Sequence, residues 1–285
     1  MKLNEKGKTT IMDKLADIPE QYIYAILAVI LIVPLIKPIG LPIPITGDTI
    51  KFFDAIDALE PGDTVFFAYD ALSMTWMEQG LGTMIVMKHL LLKPGIRVVG
   101  ASSSNQGPPF WEECMNSIGG ISSYGKEYGK DVVYLGYLAG GETMEAAIAR
   151  DIANTVNVDS YGNPLSELDL MSEVNSVDDF ALMVCLSSGW SFGGWMDQWV
   201  VPYGIGEYVI PLAGVASDIW PLMEAGLIES MIAGSRGAAE YEILLKSPGR
   251  AAAGMDAQSL GHIYVAILII VGNVAYFATR LKGED

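Results

Sequence analysis

Acids and hydroxyls are the side chains of this 285-residue sequence that stand where chemistry could occur, chiefly Asp70, Ser103, Glu142 and Ser188. Each follows a run of apolar, β-forming residues and sits among glycines and serines. Carboxylates so placed could move protons, and hydroxyls could hold a polar ligand or, beside a base, attack one. A Ser-His-Asp hydrolase needs a histidine in the same loops and a strained nucleophile turn. The two histidines, His89 and His262, lie elsewhere, and no G-x-S-x-G occurs. Without an H-x-x-x-H pair, two histidines also make no catalytic zinc site. Cys114 has Glu112 and Glu113 beside it, and neighbouring carboxylates raise a thiol pKa. Cys185 lies in an apolar run and reads as core. Both cysteines are expected to be free. No metal and no cofactor is expected.

The small, polar stretches after the apolar runs define a ligand-cleft set: Asp70, Ser103, Asn105, Gly140, Gly141, Glu142, Ser187, Ser188 and Ser217. Such residues let backbone N–H groups approach a ligand closely. They are also what turns need on steric grounds alone, so a cleft and plain turns both fit. Neither G-x-G-x-x-G after the first run nor G-x-x-x-x-G-K-[ST] is present, and these stretches carry no Lys or Arg. A dinucleotide or triphosphate is therefore not expected. A small neutral or mono-anionic ligand is compatible with these stretches.

The elements that must position these residues alternate. Continuous apolar runs at 64–69, 96–100, 131–137, 180–186 and 207–212 predict buried strands. Helical spacing predicts helices over 48–59, 74–92, 109–118, 143–156, 193–201 and 217–225. Alternation of this kind predicts an α/β fold, a Rossmann-like parallel sheet with helices on both faces. Ligands of such sheets bind beyond the carboxyl ends of the strands, where the candidate set falls. The acidic stretch 157–179 is long for a connection and reads as filler, with a lid or partner surface as the alternative.

Charge and hydropathy add a setting. Acidic residues outnumber basic ones 34 to 17, which leaves no basic footprint for nucleic acid. Residues 47–256 hold 10 basic and 28 acidic residues, so the asymmetry belongs to the predicted domain. Two apolar stretches flank it. The stretch 21–45 is a predicted transmembrane helix and Pro-rich exit, provided that Lys37 snorkels. The stretch 257–280 is a second predicted transmembrane helix, with Tyr264 and Tyr276 near its ends. The first is read as an uncleaved anchor. Residues 1–20 and 281–285 are then tails. Lys2, Lys6, Lys8, Lys14, Arg280 and Lys282 outnumber Lys37, Lys51, Lys246 and Arg250 on the central side. That bias predicts cytoplasmic termini and an extracytoplasmic domain.

Residues 226–256 form a belt of small residues. Within it, Gly234, Arg236, Gly237, Ala238 and Glu240 are assembly candidates, because small side chains permit close approach. The segments Gly237-Ala238-Ala239-Glu240-Tyr241-Glu242, Gly254-Met255-Asp256-Ala257-Gln258-Ser259 and Tyr134-Leu135-Gly136-Tyr137 resemble an uncharacterised prokaryotic family of two-span membrane proteins. The resemblance implies a span–domain–span layout and no activity. The sequence favours a membrane-anchored binding or assembly module that contacts lipid and self-associates. An enzyme using the cleft and an accessory subunit of a larger membrane complex are the alternatives.

Overall fold

The computed structural model describes residues 18–186, 188 and 191–282. Most of the two predicted tails, and Ser187 among the cleft candidates, lie outside the described residues. The described chain divides into two units. One comprises residues up to 41 and from 252 onward, the other residues 42–251.

The second unit is built on six parallel strands: β1 (Thr64–Tyr69), β2 (Arg97–Ser102), β3 (Val132–Tyr137), β4 (Leu182–Leu186), β5 (Glu207–Ile210) and β6 (Ser230–Met231). Their order is β3-β2-β1-β4-β5-β6. This is the doubly wound order in which the winding reverses between β1 and β4. The Rossmann-like parallel sheet expected from the alternating runs is therefore present. The two-residue edge strand β6 was not anticipated, being too short to leave a periodic signal.

Every residue of β1 is buried, because both faces of a parallel sheet are covered. The pleat sends alternate residues to opposite faces. Phe66 and Ala68 join one core with Val133, Met183, Cys185, Trp195 and Trp199. Val65, Phe67 and Tyr69 join the other with Trp111, Tyr134, Val184, Ile210 and Tyr241. Cys114 and Cys185 are free and belong to opposite faces. The stretch 157–179 is three short 3-10 turns whose Leu165, Leu170, Met171 and Val177 are core residues.

Part of the small-residue belt packs inside this unit. Helix Gly234–Leu244 packs on helix Trp76–Leu92, and Gly234, Gly237, Ala238 and Glu240 are all buried. A Cβ on Gly237 would come within 3.0 Å of the Ile232 carbonyl carbon. Arg236 Nε donates to Glu240 Oε1 at 2.9 Å, while Glu240 Oε2 accepts from the Thr46 N–H and the Thr49 hydroxyl, both at 2.9 Å.

The first unit contains helix Glu20–Ile36 and the long helix Arg250–Lys282 from Ala252 onward. Asp256 is buried and accepts from the N–H groups of Ile39, Gly40 and Leu41 at 2.7, 2.8 and 2.9 Å. The Tyr264 hydroxyl donates to the Ile23 carbonyl at 3.1 Å.

Here the two-span expectation is corrected. Among the described residues one helix, Arg250–Phe277, is long and apolar enough to cross a membrane, with a mean hydropathy of 1.9 over its most apolar 18 residues. The earlier stretch stops at Ile36 after 17 residues. That is about 26 Å at 1.5 Å per residue, short of the roughly 30 Å hydrocarbon core. Lys37 is already extended, and Pro38, Pro42 and Pro44 forbid continuation. The flanking pair of transmembrane helices in the expected fold class, and the layout implied by the family resemblance, therefore fail. So does the two-span localisation with both termini cytoplasmic and the domain extracytoplasmic.

Candidate functional site

The site forms where β1 and β4 part, at their carboxyl ends. Asp70 leaves β1 and is held there by its own N–H, which donates to the Leu186 carbonyl at 3.1 Å. At the end of β2 the register against β3 slips between Gly100 and Ser102. That slip turns residues 102–104 back across β1. Gly107 permits the turn, because a Cβ there would stand 2.2 Å from Ser102 Oγ and 2.7 Å from the Tyr69 carbonyl oxygen.

Asp70 is almost wholly buried, with a ring of donors around it. Ser103 N–H gives to Oδ1 at 2.6 Å, and the Ser103 hydroxyl gives to Oδ2 at 2.8 Å. Trp195 Nε1 gives to Oδ2 at 2.8 Å, and Ser102 Oγ stands 3.3 Å from Oδ1. Burial raises the Asp70 pKa, opposed by the bonds from Trp195 and Ser103. A carboxylate has about four lone-pair sites, and three close donors meet them here, while the Ser102 hydroxyl is turned mainly to the Ser104 carbonyl at 2.8 Å. Asp70 is an organiser of the loops rather than a free ligand group.

Glu145 lies behind it on helix Glu142–Arg150, packed under Gly194, where a Cβ would meet its Oε2 at 2.5 Å. Glu145 Oε2 is buried without a hydrogen-bond partner. Burial first, then the charges of Asp70 and Glu142, push its pKa up to about 7, against a bond from Ser103 that lowers it. Deeper on the same face, both Glu207 oxygens are buried without a hydrogen-bond partner. Burial pushes its pKa up to about 8, with the Cys185 thiol as the facing group that opposes the rise. The Cys185 thiol is itself raised by burial and by the Glu207, Asp70 and Glu145 charges.

Above Asp70 opens a cleft of about 470 Å³, lined by Asp70, Thr75, Ser103, Ser104 and Ser188 with Leu72, Met74 and Leu212 as apolar walls. Its hydroxyls are tied across the strand ends. Thr75 Oγ1 and Ser188 Oγ are 2.9 Å apart, and Ser188 Oγ lies 3.2 Å from Gln79 Oε1. Gln79 Nε2 reaches the Ile210 carbonyl on β5 at 2.9 Å, and Glu78 Oε1 accepts from Ala213 N–H at 2.9 Å. Helix Trp76–Leu92 thus fixes the floor. Met74 and Met77 are 84% and 80% exposed, an apolar lip beside the opening. Among the described residues, none that lines it is Lys or Arg.

Of the sequence candidates, the cleft gathers Asp70, Ser103 and Ser188. Asn105 is exposed and does not line it. Gly140 and Gly141 lie in an exposed turn, and Glu142 lines a separate cavity with Arg150 and Gln198. Ser217 is exposed on helix Ala216–Glu224. Thr75, Ser104, Glu145 and Trp195 were missed as site residues. Ser104 stands in the serine run after β2, so that run was the available signal; Glu145 read only as a helix-dipole acid. His89, outside the cleft, pairs its Nδ1 with the Tyr241 hydroxyl at 2.8 Å and stacks on Phe53.

No family model, curated protein or solved structure matches the chain. The fold and the geometry of the cleft are therefore what the function must be argued from.

Proposed function

We propose that the α/β unit binds a small, uncharged, hydroxyl-bearing ligand with an apolar portion, and that the long helix anchors the protein in a membrane. The observation that carries the first part is the cleft at the switch point, where hydroxyls converge between leucine and methionine walls. Among the described residues no Lys or Arg lines it and the Asp70 carboxyl does, so phosphate and carboxylate ligands are disfavoured. The second part rests on the length and hydropathy of Arg250–Phe277.

The test uses the full-length protein in mild detergent. Short neutral diols and monosaccharides are compared with ATP, NAD and inorganic phosphate by thermal shift. A ligand at 100 times its Kd adds about 2.7 kcal/mol, enough to read. A neutral compound should stabilise the wild type and lose its effect in Leu212→Trp, which fills the cleft. Tight, saturable binding of ATP or NAD, or no neutral binder, overturns the reading. Anchoring is read separately, by flotation with phosphatidylcholine vesicles; release by alkaline carbonate overturns it.

An enzyme is the second reading, favoured by one observation: Glu145, poised near neutrality behind Ser103. In that case Glu145→Gln keeps ligand affinity and abolishes turnover of the compound found in the first screen.

A further inference from the structure

Hydrogen-bond roles in the strand-end cleft are fixed by partners outside it. A side-chain amide has an oxygen that only accepts and a nitrogen that only donates. The Gln79 amide stands 2.9 Å from the Ile210 carbonyl, which can only accept, so the atom there is Nε2 and Oε1 faces Ser188. The Ser188 hydroxyl, 3.2 Å from that Oε1, therefore donates to it. A hydroxyl has one proton. With the Ser188 proton spent, the 2.9 Å contact between Ser188 Oγ and Thr75 Oγ1 is donated by Thr75, whose other acceptor is the Leu72 carbonyl at 3.2 Å.

The opposite wall repeats the pattern. The Ser103 hydroxyl donates to Asp70 Oδ2 at 2.8 Å, and the Glu145 carboxyl behind it is a second claimant for the same proton. The Ser104 hydroxyl donates to the Ala71 carbonyl at 3.1 Å and accepts from the Gln106 N–H at 3.2 Å. The backbone N–H groups of Asp70, Thr75, Ser103 and Ser104 are engaged as well, with Leu186, Leu72, Asp70 and Ser102. The hydroxyls of Thr75, Ser103, Ser104 and Ser188 thus turn their protons into the protein and meet a ligand with lone pairs.

We infer that the cleft selects its ligand by the hydrogen bonds the ligand donates. Alcohols are taken, and amines share that donor chemistry; ketones, ethers and esters are rejected. This deepens the reading of the cleft as a binding site and rests on it. A ligand carbonyl would set lone pairs against lone pairs, so both partners would lose water and gain no bond. Turning the Ser103 proton outward to meet it would break a bond to the buried Asp70 carboxyl, and charge-assisted bonds of that kind are the stronger ones. Turning the Ser188 proton would break its bond to Gln79.

The experiment titrates purified full-length protein in mild detergent at neutral pH with cyclohexanol, cyclohexanone and cyclohexylamine, three head groups on one ring, by calorimetry. The ketone matches the alcohol in size but only accepts, so wild type should bind the alcohol at least roughly ten-fold tighter. Ser103→Ala with Ser188→Ala removes two of the acceptors and should bring that ratio toward parity; where the double variant fails to fold, the wild-type ratio alone decides. Equal or tighter binding of the ketone by wild type, or an unchanged ratio in the folded double variant, overturns the inference and leaves the cleft a binding site. Tighter binding of the amine than of the alcohol supports the inference and overturns only the uncharged part of the proposed function. Binding undiminished in Leu212→Trp, or no binding of any of the three compounds, overturns both the inference and the cleft reading.

Discussion

Replacing Glu207 by Gln should change how stability depends on pH more than it changes stability itself. Glu207 is the first residue of β5, fully buried, with neither oxygen hydrogen-bonded. Burial raises its pKa from the ordinary 4.5 to about 8. The folded protein therefore keeps the proton over a pH range in which the unfolded chain has lost it. Stability falls wherever the folded state binds more protons. The contribution of Glu207 is complete below pH 4.5 and is lost as pH rises to about 8. The shift of about 3.5 units, at about 1.4 kcal/mol per unit, gives roughly 5 kcal/mol in all. Between pH 5 and 9 the same two pKa values give a loss of about 4 kcal/mol. Gln cannot ionise and lacks this loss. Its amide brings buried donors that need partners, at a cost of about 1–3 kcal/mol at any pH. The variant should be the less stable protein at pH 5 and the more stable one at pH 9. Glu145 titrates in both proteins, so it cancels largely in the difference. Urea unfolding of the full-length protein in mild detergent, followed by the fluorescence of Trp195 and Trp199, reads both curves. If wild type and Glu207→Gln keep a constant difference from pH 5 to pH 9, a proton held by buried Glu207 is refuted.

Two further substitutions test the packing. Gly237→Leu must push against the Ile232 backbone, so a loss of about 1–3 kcal/mol in urea unfolding is expected even in dilute protein. Unchanged stability at low concentration, with a smaller species on a sizing column, would instead move the small-residue belt to an interface between subunits. Asp256→Ala strips three backbone N–H groups at residues 39–41 of their acceptor; Ile39 and Gly40 are exposed to water, so a net loss of about 1 kcal/mol per bond is expected. Amide exchange at Ile39, Gly40 and Leu41 should accelerate in that variant, and exchange at wild-type rates would show that Asp256 does not pin the segment.

The strands were legible because they announce themselves locally. A parallel strand covered on both faces must be an unbroken apolar run, and 64–69 and 207–212 read as such. The helices were legible from spacing and from stops such as Pro94-Gly95. β6 has two residues and leaves no pattern. The first apolar stretch misled for a similar reason: hydropathy continues past Lys37 through Ile39, Leu41 and Ile43, but the helix does not, because proline geometry decides where it ends. Composition measures the first property and not the second.

The site was legible in outline only, and the reason is sequence separation. Loops at strand ends follow from fold class, so Asp70, Ser103 and Ser188 could be named in advance. Their roles depend on partners that lie far along the chain. Trp195 reaches Asp70 across 125 residues, and Ser188 reaches Thr75 across 113. These contacts reverse the apparent importance of two acids. Asp70, which looks like the catalytic candidate, is surrounded by donors and serves to hold the loops. Glu145, which looks like a dipole complement on a helix surface, lies buried with an oxygen unmet and a proton it releases only near neutrality. Close donors fix one carboxylate in the loops, and burial with one oxygen unpartnered holds the other's proton up to near neutrality.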